Sequence, residues 1–147
     1  MIIREYRPED FREVEKLWKE TGIYNVERGD TAEIILRCNR AGGRFLVMED
    51  PDSVRIAGTS WMTWDGRRIF LHHFAILPEY QGQGFGRTLA LRSLEFAREK
   101  DCPVKLEVHR ENTPAVSLYR SLGFEVFKDY EIYMNLDPVR QAGKADP

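Results

Sequence analysis

Asp65-Gly66 sits between two apolar runs, residues 54–64 and 67–77. Asp-Gly between alternating apolar segments is a strong signal for a two-residue hairpin turn, so the two runs must pair antiparallel. The second run constrains the fold most. Residues 69–77, "IFLHHFAIL", are apolar on both faces apart from His72 and His73. A strand of that kind is buried from both sides, which requires a sheet with a layer packed on each face.

The rest of the chain supplies those layers. "IIREY" (2–6) alternates and reads as a first strand, broken by Pro8. Phe11, Val14, Leu17 and Trp18 share one helical face, and Gly22 ends that helix. Residues 30–33, "DTAE", resemble a capping box, with Asp30 as N-cap and Glu33 three residues on, opening a helix to about Arg40. "RFLVMED" (44–50) is a strand, and residues 87–100 read as a helix. "VKLEVH" (104–109) alternates strictly, with Val104, Leu106 and Val108 facing one way and Lys105, Glu107 and His109 the other. Thr113 as N-cap, Pro114 at the first helical position and Gly123 past the end delimit another helix. "FEVF" and "EIYMNL" are read as two final strands. The expected architecture is α/β, with a mixed, mostly antiparallel sheet of about seven strands flanked by about four helices. Residues 1–137 form one domain, and 138–147 a polar tail.

Composition narrows the function. A formal net charge of −2 with interspersed signs argues against a nucleic-acid binder. The N-terminus lacks the apolar stretch of a signal peptide, and no run approaches the ~18 apolar residues of a membrane span. Cys38 and Cys102 show no CxxC spacing and are expected to be reduced, in a cytoplasmic protein without a metal site.

The remaining motif is "PEYQGQGFGRTLA" (78–90). Glycines crowded before a helix let the backbone take positive φ and admit a close neighbour. The helix start presents unpaired N–H groups to an anion. A P-loop needs a glycine five positions past Gly82, where Arg87 stands, and a dinucleotide fingerprint needs a glycine at that same position. What is left is Gln81-Gly82-Gln83-Gly84-Phe85-Gly86, a Q/R-x-x-G-x-G/A pattern between a buried strand and a helix.

This stretch resembles the acetyl-CoA-binding motif of the GCN5-related N-acetyltransferases, the GNAT family. "LEVHRENTPAVSLYRSLGF" (106–124) is similar to the family's later strand-helix segment, and the element order resembles the family fold across roughly residues 2–136. The resemblance implies acetyl-CoA as cosubstrate, with the pyrophosphate over the N–H groups of Gly82 to Arg87. It also implies a V-shaped splay between the fourth and fifth strands, with Phe74, Ala75 and Ile76 pairing with the pantetheine through their main chain. Asn112 matches a coenzyme-contacting position. Tyr119 is the implied acid, and its sharing of a helical face with Val116 and Leu122 leaves a core role open beside it. Glu107 and His72 are alternative general bases. In a regular strand His73 points to the opposite face from His72, so the two line one site only if a bulge intervenes. Tyr24, Asn25 and Arg28, Trp61 and Trp64, and Tyr130 and Tyr133 are candidates for the acceptor cleft. The expected acceptor is a small-molecule amine, with a peptide or protein amine as the alternative and a coenzyme-binding sensor without turnover as a third reading. A homodimer is compatible with the family, and no stretch names an interface.

Overall fold

The computed structural model describes residues 1–138; from residue 139 the expected polar tail lies outside the described residues. Five strands form one sheet: β1 (Ile2–Glu5), β2 (Arg44–Asp50), β3 (Arg55–Trp64), β4 (Ile69–Ile76) and β5 (Val104–Leu106). They lie in sequence order, β1 to β4 antiparallel and β5 parallel to β4. Among the described residues four α-helices of two turns or more accompany them: α1 (Phe11–Glu20), α2 (Ala32–Arg40), α3 (Phe85–Lys100) and α4 (Thr113–Ser121).

The sheet carries a core on each face, as the doubly apolar fourth strand requires. Against α1 and α2 lie Phe45, Val47, Trp61 and Ala75, packed on Val14, Leu17, Trp18 and Ile35. Against α3 and α4 lie Leu46, Met48, Met62, Ile69, Leu71 and Ile76, packed on Leu89, Phe96 and Tyr119. Neighbours such as Phe45 and Leu46, or Trp61 and Met62, go to opposite cores, the period-two alternation of a strand.

β4 breaks that alternation once. Trp61 of β3 is paired with His72 and Thr59 with Ala75, so Ser60 alone faces both His73 and Phe74. This is a β-bulge, and His73 takes a positive φ of 41° in it. The extra residue reverses parity. Leu71 belongs to the core under α3, while Ala75, four positions on, belongs to the core under α1 and α2.

Three expectations are corrected. The seven-strand sheet is five-stranded among the described residues, because "FEVF" and "EIYMNL" find no strand partner and stay irregular. Alternation alone does not make a strand without a ladder to join. Val126, Phe127, Ile132, Met134 and Leu136 are left exposed. Asp30 does not cap α2. Thr31 does, its hydroxyl accepting from the Ile34 N–H. At α4 the cap is Asn112 rather than Thr113, its side-chain carbonyl accepting from the Ala115 N–H. In both cases the side chain that reaches the third N–H of the helix wins, one position from the expected residue.

Candidate active site

β4 outruns its parallel neighbour. The last paired positions are Leu71 and Leu106, and β4 continues to Ile76 while β5 has ended. Residues 72–76 therefore have no strand on the β5 side. This opening leads directly to the glycine loop. Gly82 and Gly84 both have positive φ, 73° and 85°, and a side chain at either would meet nothing within 4 Å. Their conformation favours glycine, and the space over them is free. Gly84 is the N-cap of α3, no side chain caps that end, and its first turn holds no acidic residue. The N–H groups of that turn are thus presented outward with the partial positive charge of a sixteen-residue helix behind them. Gly86 sits closer in, 3.6 Å from Leu118 and 3.8 Å from Ile76 for an added side-chain carbon.

The other loop residues shape the loop itself. The Gln81 amide donates to the Ile76 carbonyl at 2.8 Å, and the Gln83 amide to the Glu79 carbonyl at 2.8 Å. Phe85 packs edge-on against Tyr80. Arg87 donates to the Ser121 hydroxyl at 2.9 Å, tying the start of α3 to the end of α4. Asn112 is exposed and caps α4.

The three candidate catalytic residues differ sharply in environment. Tyr119 is buried, with Phe74 and Phe124 against its ring, and burial pushes its hydroxyl up to about 12. It holds its proton at neutral pH, as an acid must. His72 is half-buried, with Nε2 2.7 Å from the Thr63 hydroxyl and its ring on Trp61 and Phe70. Burial, and then the neighbouring His73, push it down to about 4. The ring is neutral at pH 7 and a weak base there. Glu107 is exposed beyond the end of β5, 3.9 Å from Lys105. β5 stops one residue short of it, so Glu107 lies outside the ladder.

The bulge assembles what a regular strand would separate. His72 and His73 both approach Trp61, with ring centroids 5.8 Å and 5.4 Å away. His73 also lies 4.5 Å from the Trp18 ring, and its Nε2 is 2.9 Å from Oδ1 of Asp30, which is 1% exposed. Oδ2 of Asp30 accepts the Asn25 N–H at 2.5 Å. The His73 carbonyl accepts from the Thr59 hydroxyl at 2.8 Å, which in turn accepts from the Trp18 indole N–H at 3.0 Å. Sequence reasoning missed this pair. Asp30 fits a cap in sequence, and His73 shares a face with His72 only through the bulge that is present here; the adjacent histidines in an apolar strand are the one available signal. Of the acceptor candidates, Trp61 is buried and Tyr24 and Asn25 half-buried, while Arg28, Tyr130 and Tyr133 are exposed.

A sequence profile of the Acetyltransferase (GNAT) family matches residues 6–124, and the chain belongs to that family. Mycothiol acetyltransferase from Thermobifida fusca (strain YX) is 40% identical over 99 residues, which is 60% of this chain and 31% of that protein. The chain thus spans about a third of that curated relative. An acetyltransferase structure from Streptococcus agalactiae 2603 superposes with a TM-score of 0.75 at 19% identity, covering 91% of this chain and 90% of that one. One from Trypanosoma brucei gives 0.70 at 23% identity, covering 91% and 98%. At those identities the two structures speak for the fold. No helix among the described residues is long and apolar enough to cross a membrane.

Proposed function

We propose that this protein transfers the acetyl group of acetyl-CoA directly to a primary amine, that of a small molecule. The observation that carries the reading is the opening beside residues 72–76 of β4, continuous with the uncapped start of α3. Its free strand edge suits an extended, amide-bearing arm, and its outward N–H groups suit a pyrophosphate. The family's splay between β4 and β5 is read onto this opening. The thioester supplies an activated acetyl group; the chain's own residues do the rest. Main-chain groups of Phe74, Ala75 and Ile76 align the arm. The N–H groups from Gly82 to Arg87 hold the phosphates, with Arg87 and Asn112 at the rim. A main-chain N–H at Ile76 polarises the carbonyl that becomes an oxyanion. Tyr119, buried and protonated, returns a proton to the departing sulfur. A relative whose name carries mycothiol, rather than a protein, favours the small-molecule class.

Calorimetry with acetyl-CoA on wild type and Gly84→Glu tests the site. The variant puts bulk and negative charge into the free space over Gly84. Wild-type binding that the variant loses by at least tenfold is expected. Equal binding, or none by a folded wild type, overturns the reading.

A further inference from the structure

Gly82 and Gly84 give the glycine loop its open surface, and they give it no side chains to hold its shape. The shape must therefore be held from the loop's two ends, and those ends meet in one contact. Tyr80 closes the single turn Pro78–Tyr80 that precedes the loop, and Phe85 opens α3 on the other side. Their rings pack edge-on with centroids 6.4 Å apart, so residues 81–84 are an excursion closed by an aromatic pair. Within it, the Gln81 and Gln83 amides reach back to the Ile76 and Glu79 carbonyls.

Tyr80 is itself held from behind. It packs against the cores on both faces of the sheet, and its hydroxyl donates to Oδ2 of Asp50 at 2.8 Å. Asp50 ends β2 and is paired there with Arg55. Its Oδ1 accepts the Asp52 N–H at 3.1 Å, and its Oδ2 also accepts the Ser53 hydroxyl at 2.9 Å. The carboxylate is thus fixed on the sheet independently of the tyrosine. A parallel link runs from Glu79 to Arg55, which also holds Glu20 at 2.9 Å. Glu79 is exposed, and ion pairs open to water contribute little, so the partly buried Tyr80–Asp50 bond is the stronger tie. An anion that must order a mobile loop loses affinity to backbone entropy; a loop already fixed spares it that loss.

We propose that Tyr80, held by Asp50, is the positioning residue of the coenzyme's phosphate loop: it ties residues 81–84 to the end of β2 and keeps the N–H groups at the start of α3 aimed at the pyrophosphate. The inference rests on the acetyl-CoA reading above. Neither side chain takes part in bond making.

The test compares acetyl-CoA with S-acetylpantetheine, which carries the same thioester and arm without the pyrophosphate, on the full chain. Tyr80→Phe keeps the ring against Phe85 and removes only the hydroxyl. Its acetyl-CoA Kd by calorimetry is expected to rise about threefold to tenfold, while its S-acetylpantetheine Kd by NMR titration stays within about twofold of wild type. Asp50→Ala should match it, and Asp50→Asn, which keeps an oxygen to accept from the tyrosine, should recover most of the loss. A merely structural role would lower Tm without separating the two thioesters. Backbone 15N relaxation of coenzyme-free wild type needs no variant to fold: the amides of residues 82–84 should have order parameters of about 0.85, as rigid backbone does, and values below ~0.6 overturn the proposal. Acetyl-CoA binding by wild type that Tyr80→Phe leaves unchanged, or an equal loss with both thioesters, overturns the role of Tyr80 alone. A folded wild type that binds no acetyl-CoA defeats the coenzyme reading, and the role of Tyr80 with it.

Discussion

Thr59→Val probes what holds the bulge. Thr59 and Trp18 are both 0% exposed, and the threonine hydroxyl bridges the Trp18 N–H, at 3.0 Å, to the His73 carbonyl, at 2.8 Å. Valine keeps the shape and removes both hydrogen bonds. The indole N–H is then buried without an acceptor, at about 1–3 kcal/mol, and the carbonyl loses one donor, at about 1 kcal/mol. The expected loss is about 2–4 kcal/mol, or a Tm roughly 6–13 °C lower for a domain of this size. Urea unfolding at neutral pH measures it. A cycle with Trp18→Phe isolates the link: once the indole donor is gone, Thr59→Val should cost about 1–2 kcal/mol less. If the two costs add within about 0.5 kcal/mol, the side chains are not coupled, and the bridge does not hold the bulge.

Stability should fall with acid through His72. Its folded value lies near 4 against an ordinary 6.5, so its contribution is complete above about 6.5 and is lost as pH drops toward 4. The loss is up to ~3 kcal/mol, and His72→Gln should flatten that segment of a urea-stability profile. Tyr119→Phe should lower kcat about 10²-fold in a thiol-release assay while leaving acetyl-CoA binding by calorimetry unchanged; an unchanged kcat assigns the tyrosine to packing alone. Gly84→Ala, with φ 85° but open space around it, should cost only about 1–2 kcal/mol of backbone strain, read as a modest drop in Tm.

Patterns that depend on nearest neighbours were legible in the sequence. The Asp65-Gly66 turn, the doubly buried β4 and the glycine-rich start of α3 follow from local chemistry and fall where expected. What depends on partners from elsewhere in the chain was not. "EIYMNL" alternates as a strand should, yet nothing in six residues says whether a sheet edge is there to receive it. Asp30 fits a cap as well as it fits a ligand for His73, and Thr31, one residue on, can cap equally well; only the folded chain chooses. The bulge is the hardest case. Its cause is a register between β3 and β4 that no single strand contains, and it decides which face both histidines occupy.

That register has a consequence for how the chain tolerates a lost codon. Without His73, Phe74 would pair with Ser60, and the run from Ile69 to Ile76 would become an unbroken ladder, with Leu71, Phe74 and Ile76 on one side and His72 and Ala75 on the other. Every remaining side chain of the strand would keep the core it already occupies. His73 is thus an insertion relative to the architecture, one residue more than the sheet can pair. A chain shortened by it should still fold, relieved of a strained backbone, though with Asp30 left only the Asn25 N–H for company. Architecture and chemistry are separable in this strand at the scale of a single amino acid, and the separable residue is the one that touches the buried carboxylate.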